Sequence, residues 1–227
     1  MITLGIDLSS QKKNTSACLI DWNEEYSVCS EPSTSCSDDD LDRLISEADV
    51  IGVDAPFGWP LAFANAVTEW SYSHWNDQLR DEMRFRETDR EIRTRTGKVP
   101  LSVSTNLIAL PAMRAMALLN RHGVIDKSGG DKGFYEVYPG ASLAIWNLHK
   151  AGYKKKENVD IRKRMLNEIR KKFPNLEIPD TYTKTDDNLD ALVASITVKD
   201  AAKGKTRSPT VAQLPLARQE GWIHAPY

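Results

Sequence analysis

The 227-residue chain has little of what most catalytic or cross-linked scaffolds are built from. It has three cysteines, Cys18, Cys29 and Cys36, with no CxxC spacing and no even-numbered framework, which excludes a disulfide scaffold and a cysteine-held zinc. Its four histidines (His74, His122, His149, His224) form no HxxxH or HExxH pair, so histidine-held zinc and a Ser-His-Asp triad have no support. No GxGxxG follows a strand pattern. Gly204-Lys205-Thr206 looks like the end of a phosphate-binding loop, but Lys199 stands where that loop needs glycine. There is no basic-then-apolar leader and no apolar run near 18 residues, so a cytoplasmic protein without membrane contact is expected. A net charge of −2 excludes a protein that coats nucleic acid over its whole surface, while leaving room for a local basic groove. Repeats and low-complexity tracts are absent.

What is present is ordinary in amount, with 41% hydrophobic and 27% charged residues, enough for a sizeable core. The order of elements is more informative. Residues 2–8, 15–22 and 26–30 read as strands separated by turns, and Ser37-Asp38-Asp39-Asp40 reads as the capped start of a helix to about Ala48. Val50 to Asp54 is a short buried strand, parallel to the first if the crossover is right-handed. Residues 57–125 show no strand pattern. They hold aromatics (Trp59, Phe63, Trp70, Tyr72, Trp75), a charged stretch and a helix around Leu107 to Asn120, and are read as a helical insertion within one domain spanning 1–227. Phe134 to Pro139 is a further strand, followed by helices over 141–150, 159–173 and about 187–202. The Lys/Gly/Ser/Pro stretch 201–209 is predicted to be mobile.

The carboxylates stand in expensive places. Asp7 ends the first strand, Asp54 ends the strand after the crossover, and Asp187 and Asp190 lie three apart on one face of an otherwise apolar helix. Asp186 and Asp190, four apart, satisfy the same geometry, and periodicity does not choose between Asp186 and Asp187. Buried carboxylates need partners or a cation, so their convergence on a metal is the expectation; turn- and helix-capping acids are the bland alternative. Ser9 and Ser10 follow Asp7 and offer hydroxyls at the strand end. Glu136 shares a strand face with Phe134 and Tyr138 and is either an edge residue facing solvent or a fifth member of the site. Arg90, Arg93 and Arg95 form a basic run suited to clamping a phosphate, or a salt-bridged surface helix. The Lys/Arg-rich residues 153–172 read as the solvated face of a helix.

This order of strand, hairpin, helix, strand and terminal D-x-x-D-A helix resembles the ribonuclease-H-like superfamily, above all its RuvC-type resolvases. Gly5-Ile6-Asp7-Leu8-Ser9-Ser10, Asp54-Ala55-Pro56-Phe57-Gly58-Trp59-Pro60, Thr88-Asp89-Arg90, Tyr135-Glu136-Val137-Tyr138-Pro139 and Asp186-Asp187-Asn188-Leu189-Asp190-Ala191 are similar to the DUF429 family, described as predicted nucleases of that fold. The resemblance implies an α/β fold with a ribonuclease-H-like mixed sheet of hairpin and parallel strands flanked by helices. It also implies a metal-dependent phosphodiesterase in which Asp7, Asp54, Asp187 and Asp190, with Glu136 beside them, hold two Mg²⁺ or Mn²⁺. DNA or RNA would be the substrate, and a homodimer is admitted. Two other functions are carried alongside: an actin-like nucleotide-binding phosphotransferase or ATPase, for which only Gly129, Gly130 and Gly133 offer a phosphate loop, and a non-catalytic binding module of the same fold.

Overall fold

In the computed structural model, residues 1–69 and 75–227 are described; Trp70 and Tyr72 of the aromatic segment lie outside them. The strands are β1 (Ile2–Asp7), β2 (Ser16–Asp21), β3 (Ser27–Cys29) and β4 (Ser33–Thr34), then helix α1 (Asp38–Ser46) and β5 (Val50–Asp54). Four helices follow: α2 (Leu61–Glu69), α3 (Asp77–Arg84), α4 (Glu87–Thr96) and α5 (Ala109–Arg121). The rest comprises β6 (Phe134–Glu136), α6 (Pro139–Ile145), α7 (Val159–Lys172), β7 (Leu176–Glu177), α8 (Asp186–Ala202) and α9 (Leu214–Glu220). Among the described residues, no helix is long and apolar enough to cross a membrane.

The strands form one mixed sheet in the order β6-β5-β1-β2-β3-β7, with β4 on β2. β2 pairs antiparallel with β1, β3 and β4, while β1/β5, β5/β6 and β3/β7 are parallel. Period-two alternation then sorts β1 between two helical layers. Leu4, Ile6 and Leu8 join Val53, Leu41, Leu44 and Leu118 in a core under α1 and α5. Thr3, Gly5 and Asp7 face the other side, where α8 lies across β1, β2 and β5.

Two glycines let α8 come that close. A Cβ on Gly5 would stand 2.1 Å from the carbonyl oxygen of Ala191 and 2.2 Å from the amide nitrogen of Ser195, and one on Gly52 would meet Val198 Cβ at 2.8 Å. Ser195 Oγ lies 2.7 Å from Thr3 Oγ1, and Trp22 Nε1 donates to Thr3 Oγ1 at 2.9 Å, so the hydroxyls buried in this contact are satisfied. α8 is buried along most of its length, from Asn188 to Val198 without interruption, which suits a helix clamped between sheet and outer layer.

The helix expected after Ser37 is present with its capping box: Ser37 accepts from the Asp40 amide, and Asp40 accepts from the Ser37 amide. Within the stretch 201–209, read from the sequence as mobile, the chain is anchored at Thr206. Thr206 is buried, bridges Pro226 and lies 3.0 Å from His224 Nδ1, because the segment returns alongside the strand-like residues 222–226.

Candidate functional site

β1 and β5 run parallel with Asp7 directly opposite Asp54, so both carboxyls leave the same sheet face at the same end. The close seat of α8 on Gly5 and Gly52 brings its first turns over that end, with Asp187 and Asp190 pointing down. Asp187 lies close enough to Asp7 for its charge to help raise that carboxyl. Asp190, at 1% exposure, accepts from Tyr153 Oη at 2.9 Å and pairs with Lys154 Nζ at 2.7 Å.

This crowding raises the acids. Burial, then the charges of Asp54 and Asp190, hold Asp7 well above the usual carboxylate range. Asp54 is pushed up to about 7, first by burial, with Lys154 opposing and Asp190 adding to it. Asp187 is raised to about 6 by burial and by Asp186 and Asp190. Lys154 moves the other way: burial of its head group works against its charge, but Asp190, Tyr153 and Asp54 outweigh that and hold the ammonium charged.

Lys154 and Tyr153 have no counterpart in the sequence-based expectation. Their loop is shaped by the buried Arg162, whose guanidinium donates to the carbonyls of Tyr153 (2.7 Å), Lys155 (2.8 Å), Lys156 (3.2 Å), Thr183 (2.9 Å) and Lys184 (3.2 Å). An arginine on a helix otherwise read as having one solvated basic face gives no sequence signal of that inward role.

The expected two Mg²⁺ or Mn²⁺ ions are therefore corrected. Among the described residues, no group of three or more His, Cys, Asp or Glu side chains is disposed to hold a metal ion. The physical reason lies in the partners the acids have: an ammonium and a phenol occupy both oxygens of Asp190, and burial and mutual repulsion raise Asp7 and Asp187 toward their neutral forms. With the metal fall the metal-dependent nuclease and hydrolase readings that rested on it.

Glu136 lines one cavity with Asp7, Asp54 and Asp187, and its charge helps raise Asp54, but it comes from the other face of the strand pair. β6 is in register so that Glu136 sits opposite Val53, not Asp54, and alternation sends it to the other sheet face. There it meets Arg86 in a buried cluster. Arg86 Nη1 and Nη2 reach Glu136 at 2.9 and 2.8 Å, Nε and Nη2 reach Asp89 at 3.1 and 2.9 Å, and Nη1 also donates to the Glu220 carbonyl at 3.1 Å. All five guanidinium hydrogens are thus used. Phe57 N donates to Glu136 Oε2 at 3.0 Å. Burial opposes the charge of Arg86, but Asp89 and Glu136 outweigh it. Nearby, Glu220 accepts from Leu61 N at 2.7 Å and Glu87 N at 3.0 Å, serving the amino ends of α2 and α4 with one carboxylate.

The proposed phosphate clamp does not gather at the carboxyls. Arg90 donates to the Asp81 carbonyl and pairs with Glu87, Arg93 is exposed, and Arg95 donates to the Pro226 carbonyl. Ser9 reaches the site and Ser10 faces solvent. A cavity of about 490 Å³ opens above Asp7, Asp54 and Asp187. Its lining also includes the apolar side chains of Pro56, Pro100, Leu101, Ile108, Pro111 and Ile223, and the charged Arg86, Glu136 and Lys154.

A mixed sheet between two helical layers, with an acid-floored cleft at the carboxyl ends of two parallel strands, defines an α/β domain of the kind that takes ligands at strand ends. The chain belongs to the DUF429 family of proteins of unknown function, whose family model matches residues 5–213. Neither a curated protein nor a solved structure matches it.

Proposed function

We propose that the chain is a ligand-binding domain whose cleft takes a small organic molecule with a cationic, hydrogen-bond-donating head on an apolar body. The observation that carries this reading is that raised acids and apolar side chains line one cavity. Asp7, Asp54 and Asp187 offer acceptors and negative charge, Lys154 and Arg86 are each already paired with a buried acid, and prolines and aliphatic side chains complete the lining. An ammonium placed there would release protons from Asp54 and Asp187 and recover the attraction that their crowding withholds. A nucleotide phosphotransferase fits less well, because the same acids repel phosphates. Gly129, Gly130 and Gly133 are packed in a turn against His224, Tyr135 and Asp49.

The ribonuclease-H-like assignment of the sheet belongs to the same reading, supported by the antiparallel β1/β2/β3 unit continued by parallel β5 and β6. So does a reducing, cytoplasmic setting, supported by three free thiols, two of them (Cys18 and Cys29) 3.4 Å apart without a bond.

Calorimetric titration with benzylammonium, benzyl alcohol and benzoate at pH 6.5 tests the cleft. Benzylammonium is expected to bind with proton release, visible as a dependence on the buffer's ionisation heat, and Asp54→Asn to abolish that binding. Equal binding of benzoate, or silence from all three compounds, would remove the proposal.

A further inference from the structure

The charge of this chain is segregated. Residues 150–172 carry ten Lys and Arg against three acids, in a protein whose net charge is −2. Only Arg162 of these ten is buried. Lys150, Arg164 and Lys171 line one open groove of about 580 Å³, with Asn147, Asn167 and Glu168. Positions 164, 168 and 171 recur at helical spacing, so the groove follows one side of α7. Lys150 is close enough to help hold Glu168 below its ordinary pKa, after the larger effects of Lys171. At the carboxyl end of α7, Lys172 acts on Asp200 together with Lys199, Lys203 and Lys205, so the positive surface continues onto the end of α8. Several cations are spoken for: Lys171 pairs with Glu168 at 2.8 Å, Arg170 with Asp180 at 2.7 Å and Lys163 with Asp160 at 3.8 Å. The surplus remains positive.

We infer that this face of α7 binds the phosphate backbone of a nucleic acid without reading its sequence. Charge complementarity selects a polyanion. A helix of 14 residues is about 21 Å long, and a duplex presents one charge per ~1.7 Å of its axis, so the exposed cations along α7, which outnumber its acids Asp160 and Glu168, face a dense row of phosphates. A lipid surface is the weaker match, because a membrane-seated helix presents apolar side chains beside its cations. Among the described residues, none of the exposed large hydrophobic side chains lies between 147 and 174. The face is separate from the acid-floored cleft, and neither proposal depends on the other.

The test is fluorescence anisotropy of a labelled DNA duplex of arbitrary sequence, titrated with the full chain in 50 and 200 mM NaCl. Wild type is expected to bind two unrelated duplexes alike. Lys150→Gln/Arg164→Gln/Lys171→Gln is expected to bind at least tenfold more weakly at the lower salt, with a salt slope shallower by about 2–3. Lys150→Arg/Lys171→Arg, which keeps the charges, should bind as wild type does. Lys12→Gln/Lys13→Gln/Arg43→Gln, which removes as many exposed cations elsewhere, should do the same. Thermal melts of all four proteins report whether each is folded. The inference is overturned if wild type fails to bind duplex at 50 mM NaCl, if the Lys12 control loses as much as the α7 variant, or if the α7 variant is unaffected. Binding to phosphatidylserine vesicles in place of duplex would equally overturn it.

Discussion

Asp7 and Asp54 stand side by side at the carboxyl ends of two parallel strands, and Asp187, at the start of the helix above, lies close enough for its charge to help raise Asp7. Three carboxyls in that space cannot all be ionised cheaply, and the consequence is a pH-dependent fold. Asp54 is raised from its ordinary 3.8 to about 7. Between those values the folded chain holds a proton that the unfolded chain has released, so this group's contribution to stability is present at low pH, falls as pH rises through that window and is flat above it. Asp54→Asn removes the titration. Calorimetry from pH 3.5 to 8 should show the variant more stable than wild type by roughly 1–3 kcal/mol at pH 7.5, with the gain shrinking as pH falls and vanishing only below about pH 4. A lower melting temperature for the variant at both ends would show Asp54 to be a stabilising cap.

Lys154 should behave as the counterion of this cluster. Its side chain is 59% exposed although its ammonium pairs with the buried Asp190. Lys154→Met leaves that carboxylate with only the Tyr153 hydroxyl, at an expected cost of about 1–3 kcal/mol in urea titrations. That is less than for a fully buried pair, since water can enter along the exposed side chain. Lys154→Arg should recover part of the loss.

Arg86 presents the opposite case, a cation and two acids that are each no more than 2% exposed. Arg86→Met strands Asp89 and Glu136 together and should cost about 3–5 kcal/mol. Adding Glu136→Gln to Arg86→Met should restore part of that stability, and a double-mutant cycle by chemical denaturation measures the coupling. Additive losses would contradict the bidentate arrangement.

Gly5→Ala should be among the most damaging single substitutions. The added methyl meets backbone atoms of α8 at 2.1 and 2.2 Å, and backbone cannot rotate away. A loss of at least about 3 kcal/mol is expected, read as a collapse of the denaturation midpoint. Exposed Gly97, whose added Cβ would meet nothing within 4 Å, should lose only what its positive φ of 68° dictates on change to alanine.

Much of this frame was legible because β-branched runs ending in aspartate mark strands, and a short run after a capped helix marks a parallel crossover. That ground brings Asp7 and Asp54 together, while Asp187 and Asp190 join them through the cost of burying unpaired acids and the family resemblance. Glu136 could not be placed: alternation correctly paired it with Phe134, but the face depends on its register with Val53, which no local pattern encodes. Lys154 was hidden in a run of three lysines that reads as solvated surface, and Arg86 in the approach to a charged helix. The metal expectation failed for a related reason. A sequence shows that carboxylates need a positive partner, and says nothing of whether that partner is an ion or a side chain from a distant loop.

The seam between β1 and α8 joins residues as far apart as Thr3 and Ser195, 192 positions along the chain. During synthesis the first strand must therefore wait, its α8-facing side unoccupied, until about two hundred residues have left the ribosome. Contacts of such separation are slow to close, because the intervening chain loses its freedom before the contact gives anything back. The glycine-lined groove on β1 is thus a surface the nascent chain exposes for most of its synthesis. Removing α8 would leave that side of the sheet open, with aggregation in place of folding as the outcome.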